Sequence, residues 1–263
     1  MTDDLALLAA VTELAHTAGE KVRAEFSPDA RPSSRADMAA VGHRLRDVML
    51  DDLRAGLTAL RPGARWVEDE QETVPLDDGE WWAVDDVEGA VNHVHGMPEW
   101  SVNVTLVRDR KPVLAVVRQP VGDLTYTAVQ GGGAYRDDRP LRVGTKSRLN
   151  DALVATGQAE ADQESTYRRI GESVTAMLDH ALLVRMFVPS TPPMLLVASG
   201  QLDVFWQYEP VLPGVAPGIL LITEAGGVVS RIDGSPWLPG AKDILVTTPA
   251  LHTAAVAVLT TVA

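Results

Sequence analysis

Two acidic segments in the first third of the chain have the composition of a reaction site: Trp66-Val67-Glu68-Asp69-Glu70-Gln71-Glu72, and Trp81-Trp82-Ala83-Val84-Asp85-Asp86-Val87-Glu88-Gly89-Ala90-Val91-Asn92-His93-Val94-His95-Gly96. Each is a β-type run that ends in carboxylates. Carboxylates at the ends of neighbouring strands are a common way to hold a hard cation, because Mg2+ takes oxygen ligands in near-octahedral geometry at about 2.0–2.1 Å. Acidic turns at strand ends are also often solvated surface and nothing more, so both readings stand at this point. Trp66, Trp81, Trp82, Trp100 and Trp206 add an aromatic set that either lines an apolar pocket or, as aromatics beside strands more commonly do, fills a core.

Such side chains need elements to position them. Leu5, Leu8, Ala9, Val11, Leu14, Ala15 and Ala18 recur at the three-or-four spacing of an amphipathic helix and predict one over Asp4 to Phe26. A second helical pattern runs from about Asp37 to Leu60 and stops before Pro62-Gly63. The period then changes. Trp100 to Val107, Pro112 to Val117, Leu124 to Val129 and Gly133 to Tyr135 are short β-rich runs separated by turn residues, which predicts an antiparallel meander. Beyond Asn150 strands and helices alternate, with strands at Leu153 to Thr156, Leu182 to Phe187, Leu202 to Trp206, Gly227 to Arg231 and Ile244 to Val246. Helices are predicted over Ser165 to Ala181, Met194 to Ser199, Val215 to Ala225 and Pro249 to Leu259. The expected organisation is an N-terminal α+β subdomain over residues 1–150 and a C-terminal α/β subdomain over 151–263, in one continuous fold.

The chain has 263 residues, 46% of them hydrophobic, and a formal net charge of −13. The apolar fraction is that of a globular chain with a real core. The negative charge opposes binding to nucleic acid or to anionic membranes, both of which need Lys and Arg to neutralise phosphates. With no cysteine, disulfides, thiolate catalysis and Cys-based metal sites are excluded. The missing signal-like start and the absence of a long apolar run lead to the expectation of a cytoplasmic chain without a membrane span.

The order of an acidic pair, a strand, Asp-x-x-acid-Gly-x-x-Asn-x-x-His-Gly, hairpins and a late Glu224-Ala225-Gly226-Gly227 resembles the inositol monophosphatase family, whose signature runs D-P-[IL]-D-G-T-x-N-F-x-H-G. Gly200-Gln201-Leu202-Asp203-Val204-Phe205-Trp206 is similar to the family's G-x-x-D-A-Y-W strand. The resemblance implies an α-β-α-β-α layered sandwich, often a homodimer, in which two or three Mg2+ ions activate water against a small phosphate monoester. It places Asp69, Asp85, the Val87 carbonyl and Glu88 on the metal ligands, and His95 in a structural role.

Other positions depart from the family pattern. Ala90 stands at the threonine of D-G-T, Gly214 at an aspartate ligand of the second metal, and Ala40 and His43 at a threonine and an aspartate. Pro192 and Pro193 remove backbone donors at a helix start, and Gln207 stands at the polyol-binding glutamate. These changes lead to the expectation that Mg2+-dependent phosphatase activity has been lost, that no cofactor is needed, and that the cavity serves a different small-molecule reaction, an isomerisation, cyclisation or elimination. Asp69, Asp85, Glu88, His43 and His93 would supply its acid/base groups, since carboxylates crowded without a metal relieve their repulsion by a raised pKa. Trp66, Pro193, Gln207, Tyr208 and Gly214 would line its substrate pocket. Two alternatives remain open: a residual Mg2+-dependent phosphomonoesterase on a sugar or inositol phosphate, and a non-catalytic homologue that binds a ligand or partner.

Overall fold

The computed structural model describes residues 2–68, 76–158 and 163–262, with only the backbone described for residue 2 and residues 41–50. The first amphipathic stripe forms α1 (Thr2–Ala24), which buries Val11, Ala15, Ala18 and Val22. Helix α2 (Arg35–Leu60) begins where the Ser34 hydroxyl accepts the Asp37 N–H at 3.1 Å, an N-cap that satisfies one of the first turn's unpaired donors.

A seven-stranded sheet follows in strict chain order. Its strands are β1 (Arg65–Trp66), β2 (Glu80–Glu88), β3 (Ser101–Arg108), β4 (Lys111–Gln119), β5 (Leu124–Val129), β6 (Gly133–Arg136) and β7 (Arg139–Pro140). Only the β1–β2 pair is parallel, so the expected meander is present from β2 onward. The five-residue helix α3 (Ala90–Val94) lies between β2 and β3.

The second sheet has the order β11-β12-β10-β8-β9, built from β8 (Leu153–Gly157), β9 (Leu183–Phe187), β10 (Val204–Tyr208), β11 (Val228–Ser230) and β12 (Asp243–Thr247). Strands β8, β9 and β10 are parallel, and β12 closes antiparallel on both β10 and β11. Its helices are α4 (Glu164–Leu178), α5 (Thr191–Ala198), α6 (Leu212–Glu224) and α7 (His252–Leu259).

The layers run helix, sheet, helix, sheet, helix. Helices α1 and α2 cover one face of the first sheet, α5 and α6 lie between the sheets, and α4 and α7 cover the outside of the second. Alternation along β3 and β4 decides which side chain enters which layer. Val102, Val104, Leu106, Leu114 and Val116 pack with α1, whereas Ala115 and Val117 join Met194, Leu195, Val215, Ile219 and Phe205 in the middle layer. That middle core contains residues from both halves of the chain, so neither half buries its apolar face alone.

An ion cluster ties α1 to the sheet. Arg108 grips the Asp4 carboxylate through both terminal nitrogens, at 2.8 and 2.7 Å, and also reaches Glu80. The guanidinium beside Asp4 holds its carboxyl below the usual carboxylate range.

Candidate active site

Asp85 and Glu88 are three positions apart, and in a regular strand they would point to opposite faces. A β-bulge changes this. Asp85 pairs with Asn103 and Glu88 with Ser101, so three steps on β2 oppose two on β3. Ser101 and Asn103 are two apart and share a face, and the bulge therefore turns both carboxylates toward the same side as these two. The next turn is equally constrained. Gly89 has φ +92° and a Cβ there would meet the Glu99 carbonyl at 2.8 Å, so only glycine is accommodated without strain. Asn92 then pins this turn to the end of β9 by donating to the Glu99 and Val188 carbonyls, both at 2.8 Å.

The side chains on that face form a buried polar network. Ser101 donates to Asn103 Oδ1 at 2.8 Å, and Asn103 Nδ2 donates to Thr191 Oγ1 at 2.8 Å. Thr191 Oγ1 donates chiefly to the Gly214 carbonyl at 2.7 Å, with the Glu88 carboxylate at 3.2 Å beside the same proton. Glu88 Oε1 also accepts the backbone N–H groups of Ser190 and Thr191 at 3.1 and 3.3 Å. Glu88, only 9% exposed, is thus the carboxylate at which β2, the start of α5 and the start of α6 meet. Asp85 is half-buried and its Oδ1 accepts the Val87 N–H at 3.1 Å.

The two prolines are placed by the same geometry. Helix α5 begins at Thr191, so Pro192 and Pro193 occupy its first turn, where their missing N–H groups would have had no intrahelical partner. The donors that remain are the ones Glu88 accepts.

The structure separates several of the remaining candidates from this network. His93 is corrected from an acid/base group to a core residue. It is 1% exposed, its Nε2 lies 3.2 Å from the Val22 carbonyl, and its ring meets Phe26 and Trp100 edge-on. Burial pushes its pKa down. The sign follows: the charged form is favoured in the unfolded chain, so His93 lowers stability as pH falls below about 6.5, its unfolded value. Urea midpoints compared between pH 8 and pH 5.5 are expected to show a smaller acid loss in His93→Phe than in the wild type; an unchanged loss would remove His93 from the account.

Tyr208 is likewise a core side chain, 2% exposed and packed among Val154, Ile232 and Leu245 under the Arg169 guanidinium, which leaves no face for a substrate. Trp66 carries the Arg54 guanidinium 4.5 Å above its ring, and Trp82, Trp100 and Trp206 are divided between the cores on the two outer sides, so the tryptophans do not form one apolar pocket. Gln207 is buried and lies where a side chain at Gly157 would be, 2.9 Å from the site of that Cβ. Of the pocket candidates, Pro193 and Gly214 lie at the start of α5 and of α6, where the network meets them. Asp69 lies outside the described residues, as does the side chain of His43, whose backbone is part of α2.

Ser101, Asn103 and Thr191 were not singled out from the sequence. The signal for the first two is the alternation of Ser101, Asn103 and Thr105 with Val102, Val104 and Leu106 in a strand with no solvent on either face. Buried polar residues in that pattern must find partners across the sheet's inner side.

Among the described residues no three carboxylates or imidazoles come together to hold a metal by themselves. The donors on the face of Asp85 are nonetheless all hard oxygens, and Glu88 Oε2 takes no hydrogen bond among the described residues. This set fits one hard divalent cation that takes its remaining ligands from beyond these residues. It does not fit a second ion that depends on a side chain at 214.

Layer order, bulge and strand-end carboxylates together define the class of fold. The chain belongs to the inositol monophosphatase family, which matches residues 3–262. An inositol-1-monophosphatase of Rhizobium meliloti is 36% identical over 183 residues, covering 69% of this chain and 68% of that protein. One of Caulobacter vibrioides is 30% identical over 200 residues, covering 74% and 78%. The solved inositol monophosphatase of Anabaena superposes with a TM-score of 0.83 at 23% identity, over 99% of this chain and 97% of that one, and shows the shared layered fold.

These relatives correct the functional expectation drawn from the departures. Proteins 33–36% identical to this chain carry the name inositol-1-monophosphatase, and nothing in the fold or the comparisons supports a different reaction. The family is one of enzymes. The expectation of a cofactor-free site finds no support either.

Proposed function

We propose that this chain is a Mg2+-dependent phosphomonoesterase acting on an inositol or sugar phosphate. The observation that carries the reading is the β2 bulge, which turns Asp85 and Glu88 to one buried face. Two carboxylates at such a place repel a phosphate dianion unless a divalent cation lies between them. Asp85, the Val87 carbonyl and Glu88, with Asp69, are the groups that would hold it. Mg2+ bound there supplies polarisation of a phosphoryl oxygen and a more acidic water. The chain's own part is to fix these oxygens. The Val87 N–H orients Asp85, and the start of α5 orients Glu88.

The test is phosphate release from a panel of inositol and sugar monophosphates with Mg2+ and with EDTA. Turnover that EDTA abolishes and Mg2+ restores is expected; turnover that persists in EDTA, or none with any substrate, sinks the reading.

We infer further that the partner is a small molecule and that the chain acts in the cytoplasm without binding nucleic acid or membrane; no helix among the described residues is long and apolar enough to cross a bilayer. A homodimer is the reading of the exposed Leu182, Leu183, Met186 and Val188 along the edge strand β9, and light scattering at micromolar concentration checks it.

A further inference from the structure

Gly214 is the second residue after Leu212 in α6 and is buried, yet the space its side chain would need is already filled. A Cβ built at 214 lies 3.0 Å from Glu88 Oε1, 3.3 Å from Oε2 and 3.4 Å from the carboxylate carbon. All three atoms of one carboxylate therefore surround the missing methyl. The same group accepts the backbone N–H groups of Ser190 and Thr191, both on Oε1, and the Thr191 hydroxyl, 3.2 Å from that oxygen, donates to the Gly214 carbonyl. Position 214 and Glu88 are therefore linked twice, by the contact and through Thr191.

We propose that Glu88 is a shared carboxylate: Oε1 fixes the start of α5 against α6, Oε2 is the single oxygen it offers to the cation, and Gly214 is the glycine that admits the group. The Oε2 half rests on the phosphatase reading, whereas the Oε1 half does not. The length of the side chain is part of the device. An aspartate at 88 is one methylene short of the donors on α5, and an aspartate added at 214 would collide with the carboxylate already there. The two positions thus exchange a function: the carboxylate at the start of α6 is delivered from β2, and the residue on α6 is reduced to backbone.

The experiment reads metal-free melting temperature and calorimetric Mg2+ binding. Gly214→Ala is expected to lower the melting temperature by about 2 °C or more, since Glu88 is anchored and overpacking then outweighs the roughly 1 kcal/mol that alanine gains over glycine in a helix. In a Glu88→Ala background the same methyl has nothing to strike and is expected to cost no more than about 1 °C. Equal costs in the two backgrounds overturn the proposal. Glu88→Gln keeps an oxygen for the α5 donors, so it is expected to fold and melt within about 2 °C of wild type while Mg2+ affinity falls about tenfold. Glu88→Ala/Gly214→Asp returns a carboxylate to the same volume from the other side and is expected to recover most of the Mg2+ affinity lost in Glu88→Ala; Glu88→Ala/Gly214→Asn is not.

Mg2+ binding that Glu88→Gln leaves unchanged overturns the shared role, since Glu88 would then be a helix anchor alone. A wild-type protein that binds no Mg2+ overturns the phosphatase reading and with it the Oε2 half, whereas the metal-free melting cycle judges the Oε1 half by itself.

Discussion

Asp85→Asn is expected to remove Mg2+-dependent phosphate release while leaving the fold in place. The asparagine carbonyl can still accept the Val87 N–H that Asp85 Oδ1 accepts at 3.1 Å, so the bulge keeps its local hydrogen bond. What is lost is the charge. A cation-assisted step draws several kcal/mol from the ion, and at about 1.4 kcal/mol per decade that is a fall of roughly 10²–10⁴ in kcat. The melting temperature is expected to stay within about 2 °C, less than 1 kcal/mol for a chain of this size. Mg2+ titration read by calorimetry should fail in parallel with turnover. If Asp85→Asn turns over at the wild-type rate, Asp85 holds no cation and the phosphatase site lies elsewhere.

The elements around that residue were legible in the sequence to unequal degrees, for physical reasons. Leu124 to Val129 is expected as a strand and is β5, since turn residues bound it on both sides and its composition is β-branched and aromatic. Helix α5 is expected from Met194 to Ser199 and begins instead at Thr191, because prolines read as breakers unless they fall in the first turn. The bulge in β2 was not legible at all. Asp85-Asp86-Val87-Glu88 read at period two puts the two carboxylates on opposite faces, and only the pairing with Ser101 and Asn103 shows otherwise. His93 looked catalytic from its neighbours in sequence, whereas its neighbours in space are Val22, Phe26 and Trp100. The expectation of lost activity has a related origin. Read alone, Gly214 is a metal ligand removed. In space the Glu88 carboxylate fills the volume beside it, 3.0 Å from where a Cβ at 214 would lie.

Gly218→Ala is expected to destabilise the fold and to weaken the site from a position that touches none of its groups. Helices α5 and α6 cross in the middle layer at this glycine, and a Cβ here would fall 2.6 Å from Met194 Cβ, 2.7 Å from its sulfur and 2.8 Å from its terminal methyl. Two of those atoms sit on a pliable chain. The third is fixed to the α5 backbone, so the helices themselves must part. Overpacking of this kind costs about 1–3 kcal/mol, which is a fall of roughly 3–10 °C in melting temperature. The displacement also carries Ser190 and Thr191 away from Glu88, so Mg2+ affinity should weaken along with stability. Shortening the neighbour separates the two explanations. Since Met194→Ala keeps the offending Cβ, the extra methyl at 218 should cost nearly as much in that background as in the wild type. In a Met194→Gly background it should cost less than about 1 kcal/mol, whatever that substitution costs on its own. A 218 methyl that is neutral in the wild type would mean that α5 and α6 have room to move. The site would then be held by its hydrogen bonds alone and not by the close packing of the helices behind it.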